Sequence, residues 1–213
     1  YKSIWFEYIN FKENSNNSNS ISSAINGKTG IDCFDTWIEE LRENNYLHNH
    51  SRMWFASIWI FTLGHPWQLG ARLFMKHLLD GDASSNTLSW RWVAGMHTNK
   101  KPYLASKENI DKYTNNRFRD TPISISNEIN IIKNSQHQSN KLPVQRSFPN
   151  SNILLMFDND MNIKNRSKLF NSYSKVYILH NVVINNEFEL SEKVSQFKRS
   201  LIDKVDKLIP NSE

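Results

Sequence analysis

The sequence predicts a mainly α-helical protein that ends in a small α/β segment. Over residues 32–95 apolar side chains recur at helical spacing, which is typical of amphipathic and buried helices. A polar, turn-rich stretch follows, and beyond it a strand, a helix, a second strand and a second helix predict a small parallel βαβα unit. We therefore expect a helical domain over 1–120, a linker over 121–150 and an α/β segment over 151–213.

Composition restricts the possible functions only mildly. The 213 residues carry 26 Lys+Arg against 21 Asp+Glu, a formal charge of +5 that favours an anionic partner without establishing one. The single cysteine, Cys33, excludes a disulfide framework and CxxC metal sites, fits a reducing, cytoplasmic location, and is expected to be a buried apolar residue. The longest apolar run, 53–64, is shorter than the roughly 20 residues that cross a bilayer, so we expect no membrane span.

The elements follow from periodicity and from turn residues. The Asn/Ser-rich residues 13–26 predict a mobile loop, and residues 97–120 predict short helices at most. In the first domain, helices are predicted around 35–41, over 48–63, from Pro66 to about Leu79, and from Ser84 or Ser85 to Gly95. In the last segment, strands are predicted at 152–157 and 175–184, and helices at 158–174 and 191–208.

The stretch "LLDGDASSNTLSWRWVAG" places acids close to indoles. Asp82, Asn86 and Trp90 are spaced i, i+4, i+8 and share one helix face, whereas Trp92 points roughly the opposite way. The glycine before Asp82 permits close approach of a bound group. Two interpretations stay open at this level: an acidic helix N-terminus with both tryptophans in the core, or a ligand site.

The stretch "HNHSRM" supplies a cation for those acids. Asn49 lies beside Arg52 and Met53 on one helix face, and a buried arginine would take Asp80 or Asp82 as its partner. Such a pair is either a structural ion pair or one side of a site for a planar heteroaromatic ligand such as a flavin.

Other common sites are not indicated. The histidines have no cysteine or acid at zinc-ligand spacing, and neither a P-loop nor a GxGxxG motif occurs. The "GKTG" at 27–30 has too few glycines to predict a phosphate site.

Together these motifs resemble a known family. Four segments over 27–103 resemble the FAD-binding domain of the photolyase/cryptochrome family. In order, they are "GKTGIDCFDTWIEEL", "YLHNHSRMWFASIW", "PWQLGARLFMKHLLDGDASSNTLSWRWVAG" and "PY". The stretch "IWFEY" at 4–8 resembles the preceding helix of that domain. The resemblance implies a helical FAD-binding domain of photolyase type that holds FAD in a folded shape. It also leads us to expect a chain truncated at its N-terminus, because the family's antenna domain and phosphate-binding stretch do not precede "IWFEY".

The resemblance implies roles for particular residues. Asn86 would face the flavin N5, and Arg52 would pair with Asp80 beside the ring. Trp90 and Trp67 would be the inner and middle members of an electron relay. The outer member has no counterpart before "GKTG", and Trp37, Trp54 and Trp59 are candidates for it. The implied cofactor-binding set is Asn49, Arg52, Asp80, Gly81, Asp82 and Asn86.

The resemblance also implies a lesion site. Trp5 and Trp92 would sandwich a flipped-out pyrimidine dimer, with Met53 and His50 near the mouth and Asn49 between cofactor and lesion. Three positions depart from the family pattern: His50 and Phe6 replace arginines, and Lys2 replaces a glutamate.

The preferred hypothesis is a monomeric, FAD-dependent enzyme that repairs UV-damaged DNA with blue light, by electron transfer from reduced flavin to a pyrimidine dimer. A non-catalytic cryptochrome-like photoreceptor is the alternative, and a fragment that no longer binds FAD tightly is a third possibility.

Overall fold

The computed structural model describes residues 2–12, 18–96, 101–118, 152–157, 161–163, 166–179 and 189–209. The chain divides into two compact units, Tyr1–His137 and Gln138–Glu213. The predicted linker, 121–150, lies outside the described residues. Within the described part of the chain, no helix is both long enough and apolar enough to span a bilayer.

The first unit is helical, as predicted. Its helices are α1 (Lys2–Ile9), α2 (Ser18–Ile25), α3 (Asp32–Asn44), α4 (Asn49–Ser57), α5 (Trp67–His77), α6 (Ala83–Val93) and α7 (Lys107–Tyr113). A π-helical segment, Ile58–Thr62, continues α4, so the single helix predicted over 48–63 changes type part-way. Its Leu63 N–H donates to Ile58 O at 2.9 Å, and Gly64, at φ +69°, follows the segment.

The prediction of a loop over residues 13–26 is wrong for α2. Ile21 and Ala24, three residues apart, are 4% and 0% exposed, so burial of one helix face outweighs the low helix propensity of the surrounding Ser and Asn. Residues 13–17 lie outside the described part.

The predicted start of α6 is also wrong. The helix begins at Ala83, and its N-cap is Asp82, whose carboxylate accepts a hydrogen bond from the Ser85 N–H at 2.8 Å. Ser84 and Ser85 are good capping residues, but Asp82 caps the helix two positions before Ser84 and adds a favourable negative charge at the helix N-terminus.

The core of the first unit is unusually aromatic. Five tryptophans are at most 2% exposed; they are Trp37, Trp54, Trp59, Trp67 and Trp90. Cys33 is fully buried, as predicted, and burial raises the pKa of its thiol to about 12.

The "GKTG" loop is closed by the chain itself. The Asp35 carboxylate accepts hydrogen bonds from the Thr29 N–H at 3.1 Å and the Gly30 N–H at 3.0 Å, and from the Thr29 hydroxyl at 2.7 Å. These donors are therefore already bonded to a carboxylate in the first turn of α3.

Two arginines hold α1 against the rest of the unit. The Arg72 guanidinium donates to the carbonyls of Tyr8 and Phe11, at 3.2 and 3.0 Å, and so satisfies acceptors at the C-terminal end of α1. Arg91, 1% exposed, lies 3.7 Å from the Glu7 carboxylate and 5.7 Å from the Trp67 ring centre. Charge pairing and a cation–π contact compensate for burying this guanidinium.

The second unit is a small α/β segment, as predicted, but the helix predicted over 158–174 is helical only at Ser167–Phe170 among the residues that the structure describes. It contains β1 (Ile153–Phe157), α8 (Ser167–Phe170), β2 (Lys175–Leu179) and α9 (Glu192–Asp206). The strands pair in parallel, with Leu155 opposite Tyr177. Its core is formed by Met156, Phe170, Val176, Val205 and Ile209. On the other face of β1, Ile153, Leu155 and Phe157 are exposed.

We predict that His65 makes folding sensitive to acid. His65 is 4% exposed, and burial lowers the pKa of its imidazole from 6.5, an effect that a hydrogen bond to the Ser20 backbone partly opposes. Because the unfolded chain then binds the proton more readily, His65 should reduce the free energy of unfolding as the pH falls below 6.5, down to the pKa of the folded state.

Urea unfolding at about pH 7.5 and about pH 5.5 measures this effect. The His65→Gln variant, which cannot titrate, should lose less stability between these pH values than the unmodified chain. An equal loss in both proteins would show that His65 does not contribute.

Candidate functional site

A cavity of about 310 Å³ opens among α4, α5, α6 and the loop before α6, within the range of roughly 300–1,000 Å³ typical of small-molecule sites. Its walls combine apolar surface with a few polar groups. The lining residues are Asn49, Arg52, Met53, Ala56, Phe74, Leu78, Asp80, Gly81, Asp82, Ser85, Asn86, Ser89, Trp90, Trp92 and Val93. The whole predicted cofactor-binding set is among them.

An ion pair joins α4 to the loop that precedes α6. One guanidinium nitrogen of Arg52, Nη2, donates to both carboxylate oxygens of Asp80 at 3.0 Å, and Nε donates to Leu47 O at 2.8 Å. The Tyr46 ring lies 5.2 Å from the guanidinium. The side chains are 23% and 56% exposed, so solvent weakens this pair, and its main effect is to fix the position of the arginine.

Asn86 has a defined orientation. Its Nδ2 donates to the Ala71 carbonyl of α5 at 2.8 Å. A carbonyl oxygen can only accept, so the amide nitrogen must face α5, and Oδ1 remains as the acceptor that Asn86 offers to a ligand. Asn86 therefore presents an acceptor to the cavity that it lines.

Trp90 is held tightly between α5 and α6. A Cβ placed on Gly70 would lie 2.2 Å from Cη2 of Trp90, so this approach of the two helices requires glycine. Phe74 meets the Trp90 ring edge-to-face at 5.1 Å. The indole N–H is buried without a hydrogen-bond partner in the described residues.

The two predicted relay residues, Trp90 and Trp67, make ring contacts with different partners. Trp90 meets Trp59 edge-to-face at 6.5 Å, whereas Trp67 stacks on Tyr8 at 5.4 Å. Within the described residues no ring contact joins Trp67 to Trp90. Of the candidates for the outer member, Trp37 stacks on Trp54 at 5.7 Å, whereas Trp59 meets Trp90.

The predicted lesion residues are not all at one place. Asn49, Met53 and Trp92 line the cavity, but Trp5 does not; it lies edge-to-face with Tyr8 at 5.6 Å. Trp92 is 43% exposed and Trp90 only 2%, which fits the prediction that they face differently, yet both line the cavity.

His50 joins a column of rings at the surface of α4. It stacks on the buried Trp54 at 5.7 Å and on the exposed Tyr113 at 5.5 Å, and it is not among the cavity-lining residues. The side chain of Lys2 lies outside what the structure describes, and Phe6 is 49% exposed.

The cavity fits the ring system of FAD better than its phosphates. Met53, Phe74 and Trp90 provide apolar and aromatic walls for a flat ligand, and Asn86 provides a fixed acceptor at the edge. Arg52 is the one cation among the residues that line it, and that guanidinium is already paired with Asp80. No group of three or more potential metal ligands occurs in the described residues.

A family model decides the assignment: the model described as FAD binding domain of DNA photolyase matches residues 2–150. The chain belongs to this family. The predicted family and cofactor class are thereby confirmed. The roles of individual residues stay predictions.

Proteins named deoxyribodipyrimidine photo-lyase in several organisms are similar to this chain. A deoxyribodipyrimidine photo-lyase of Streptomyces griseus is 41% identical over 76 residues, which cover 36% of this chain and 17% of that protein. The mitochondrial deoxyribodipyrimidine photo-lyase of Saccharomyces cerevisiae is 38% identical over 89 residues, or 42% of this chain and 16% of that protein. The matched parts thus span about a sixth of these relatives.

A solved structure is also similar, the class III photolyase of Agrobacterium tumefaciens. It is 26% identical, with a TM-score of 0.44, and the match covers 52% of this chain and 24% of that one.

Sequence reasoning missed several lining residues. Ser85, Ser89 and Val93 complete the α6 face that begins at Asp82, and Phe74 adds a wall from α5. Their spacing from Asp82 (i+3, i+7 and i+11) would have identified the three on α6.

We predict that Gly70→Ala destabilises the first unit by about 1–3 kcal/mol, because the new methyl group overlaps the Trp90 ring. Urea unfolding measures this loss. In a Trp90→Phe background, where the atoms nearest Gly70 are gone, the same substitution should cost clearly less. Equal losses in both backgrounds would show that the contact does not restrict this position.

Proposed function

We propose that this chain is the cofactor-binding part of a light-driven DNA repair enzyme, a deoxyribodipyrimidine photolyase. The observation that carries the proposal is the convergence of Arg52–Asp80, Asn86 and Trp90 on one cavity with flat apolar walls. Family membership and the names of the relatives support it. The chain matches only about a sixth of each of these relatives, so the activity of the whole protein is part of the proposal.

FAD, when bound, would supply the absorption of blue light and the electron that splits a pyrimidine dimer. Oδ1 of Asn86 would accept a hydrogen bond from the flavin N5 edge, because Nδ2 is committed to Ala71. Arg52 would lie beside the ring, held by Asp80. Gly81 and Asp82 would approach the ribityl chain, where Gly81 leaves room and Asp82 is already fixed as the N-cap of α6.

Trp90 would donate an electron during photoreduction of the cofactor. It lines the cavity, it is 2% exposed, and its neighbours hold it rigidly. Indoles are the most easily oxidised rings in this core, and short distances favour transfer. Trp67 stays the proposed middle member, with Tyr8 stacked on its ring.

UV-damaged DNA is the proposed partner. The formal charge of +5 favours a polyanion, and the exposed Trp92 at the cavity offers a face for a flipped-out base. Asn49 and Met53 line the same cavity and would lie between cofactor and lesion. Trp5 and His50 stay predicted lesion contacts, and a monomeric, cytoplasmic protein stays our expectation.

The proposal is tested by loading the chain with FAD and assaying repair of DNA that carries one thymine dimer, under blue light with a reductant. We expect bound flavin after gel filtration and light-dependent loss of the dimer. Arg52→Ala should reduce flavin retention, whereas Arg117→Ala, at an exposed ion pair with Glu40, should not. Bound flavin without repair would favour the photoreceptor alternative, and a colourless protein would contradict the proposed cofactor site.

We predict that Trp90→Phe abolishes photoreduction of bound FAD but preserves repair when the flavin is reduced chemically beforehand. Phenylalanine keeps an aromatic ring in the core but is far harder to oxidise than indole. Flavin absorbance under illumination measures the first effect, and the dimer assay measures the second. Normal photoreduction in Trp90→Phe would show that Trp90 is only a packing residue.

A further inference from the structure

A second aromatic residue supports Trp92 at the mouth of the cavity. The Tyr103 ring stacks on the Trp92 indole, with 5.4 Å between ring centres and 28° between planes. Trp92 is 43% exposed and still lines the cavity. Tyr103 therefore covers one face of the indole and leaves other parts of it open to solvent and to a ligand.

The backbone around Tyr103 is fixed at several points. Its N–H donates to Val93 O at 3.0 Å, at the C-terminal end of α6. Gly95, at φ +76°, allows Pro102 to lie against its backbone, because a Cβ at position 95 would lie 2.9 Å from the nitrogen of Pro102. Two residues later, the buried Ala105 N–H donates to the Ser57 hydroxyl at 2.7 Å.

These contacts connect Trp92 to rigid elements. Ser57 ends α4 and Val93 ends α6, so residues 102–105 are attached to two of the three helices that form the cavity. An indole on an exposed helix face would otherwise sample several rotamers. Stacking on an anchored ring limits this freedom, which lowers the entropy lost when a flat ligand binds.

We infer that Tyr103 is a positioning residue for recognition of an extruded pyrimidine base. Trp92 contacts the base, and Tyr103 acts through Trp92 by holding the indole at the angle that stacking requires. This inference rests on the proposed function, and it gives a role to Tyr103, which that function does not otherwise use. An aromatic ring at position 103 is the requirement, because a ring packs flat against indole and an aliphatic side chain does not.

The test measures dark binding to DNA, apart from repair. FAD-loaded chain is titrated into labelled duplexes with and without one thymine dimer, and fluorescence anisotropy gives both affinities. We expect Trp92→Ala to weaken dimer binding at least tenfold, in line with the roughly five- to hundredfold effect of losing one base stack. Tyr103→Ala and Tyr103→Leu should each weaken it about fivefold, and Tyr103→Phe less than twofold.

A double variant separates positioning from direct contact. In a Trp92→Ala background, Tyr103→Ala should change affinity less than about twofold, because the residue through which it acts is gone. Tyr177→Ala, a tyrosine of β2 in the second unit, is the matched control and should bind as the unmodified chain does.

A spectroscopic readout accompanies the binding data. In protein labelled with 5-fluorotryptophan, the ¹⁹F resonance of Trp92, assigned with Trp92→Phe, should shift in Tyr103→Leu while those of the buried tryptophans stay in place. Normal dimer affinity in Tyr103→Leu, or the same fold loss with and without Trp92, would overturn the inference. If the unmodified chain does not prefer dimer DNA at all, the proposed function itself fails.

Discussion

The contact between Gly70 and Trp90 is the constraint on which the rest of the site depends. Because position 70 has no side chain, α5 and α6 approach closely enough for the indole to lie against the backbone of α5. The same approach lets Asn86 reach the Ala71 carbonyl, which orients its amide. The Trp90 wall and the acceptor of the cavity thus both follow from one missing methyl group.

Polar groups in this cavity are largely satisfied by the protein before any ligand binds. Arg52 is bound to Asp80 and Leu47, and Asp82 caps α6. The amide nitrogen of Asn86 donates a hydrogen bond to the backbone of α5. Such a site loses little entropy on binding, because its polar side chains are already oriented. It also selects against ligands that need several free cations, because Arg52 is the one cation among its lining residues.

Local patterns predicted much of this fold and less of its long-range contacts. Helix α5 and helix α9 lie where periodicity placed them, because each has one apolar face over several turns. Helix α2 was missed because its Ser and Asn composition hides two buried positions, which only tertiary packing makes decisive. For the site, spacing grouped Asp82, Asn86 and Trp90 correctly.

The remaining site features depend on contacts between distant parts of the chain. A helical wheel places Trp92 away from Trp90, but an indole is long enough to reach the cavity mouth, and Tyr103 holds it there. Likewise, the stacking of Tyr8 on Trp67 joins α1 to α5, and spacing within either helix carries no information about it. Pairings of this kind arise only from the tertiary fold.

The π-helical segment after α4 has a consequence for how this region tolerates change in length. A π turn holds one more residue than an α turn, and each residue of an α-helix advances by about 100° around the axis. Deleting one residue from Ile58–Thr62 would restore an ordinary α-helical turn and leave the residues after it close to their present orientation relative to α4. This segment should therefore tolerate the loss of one residue better than the turns of α4 do, where a deletion would rotate the cavity-lining side chains by about 100°.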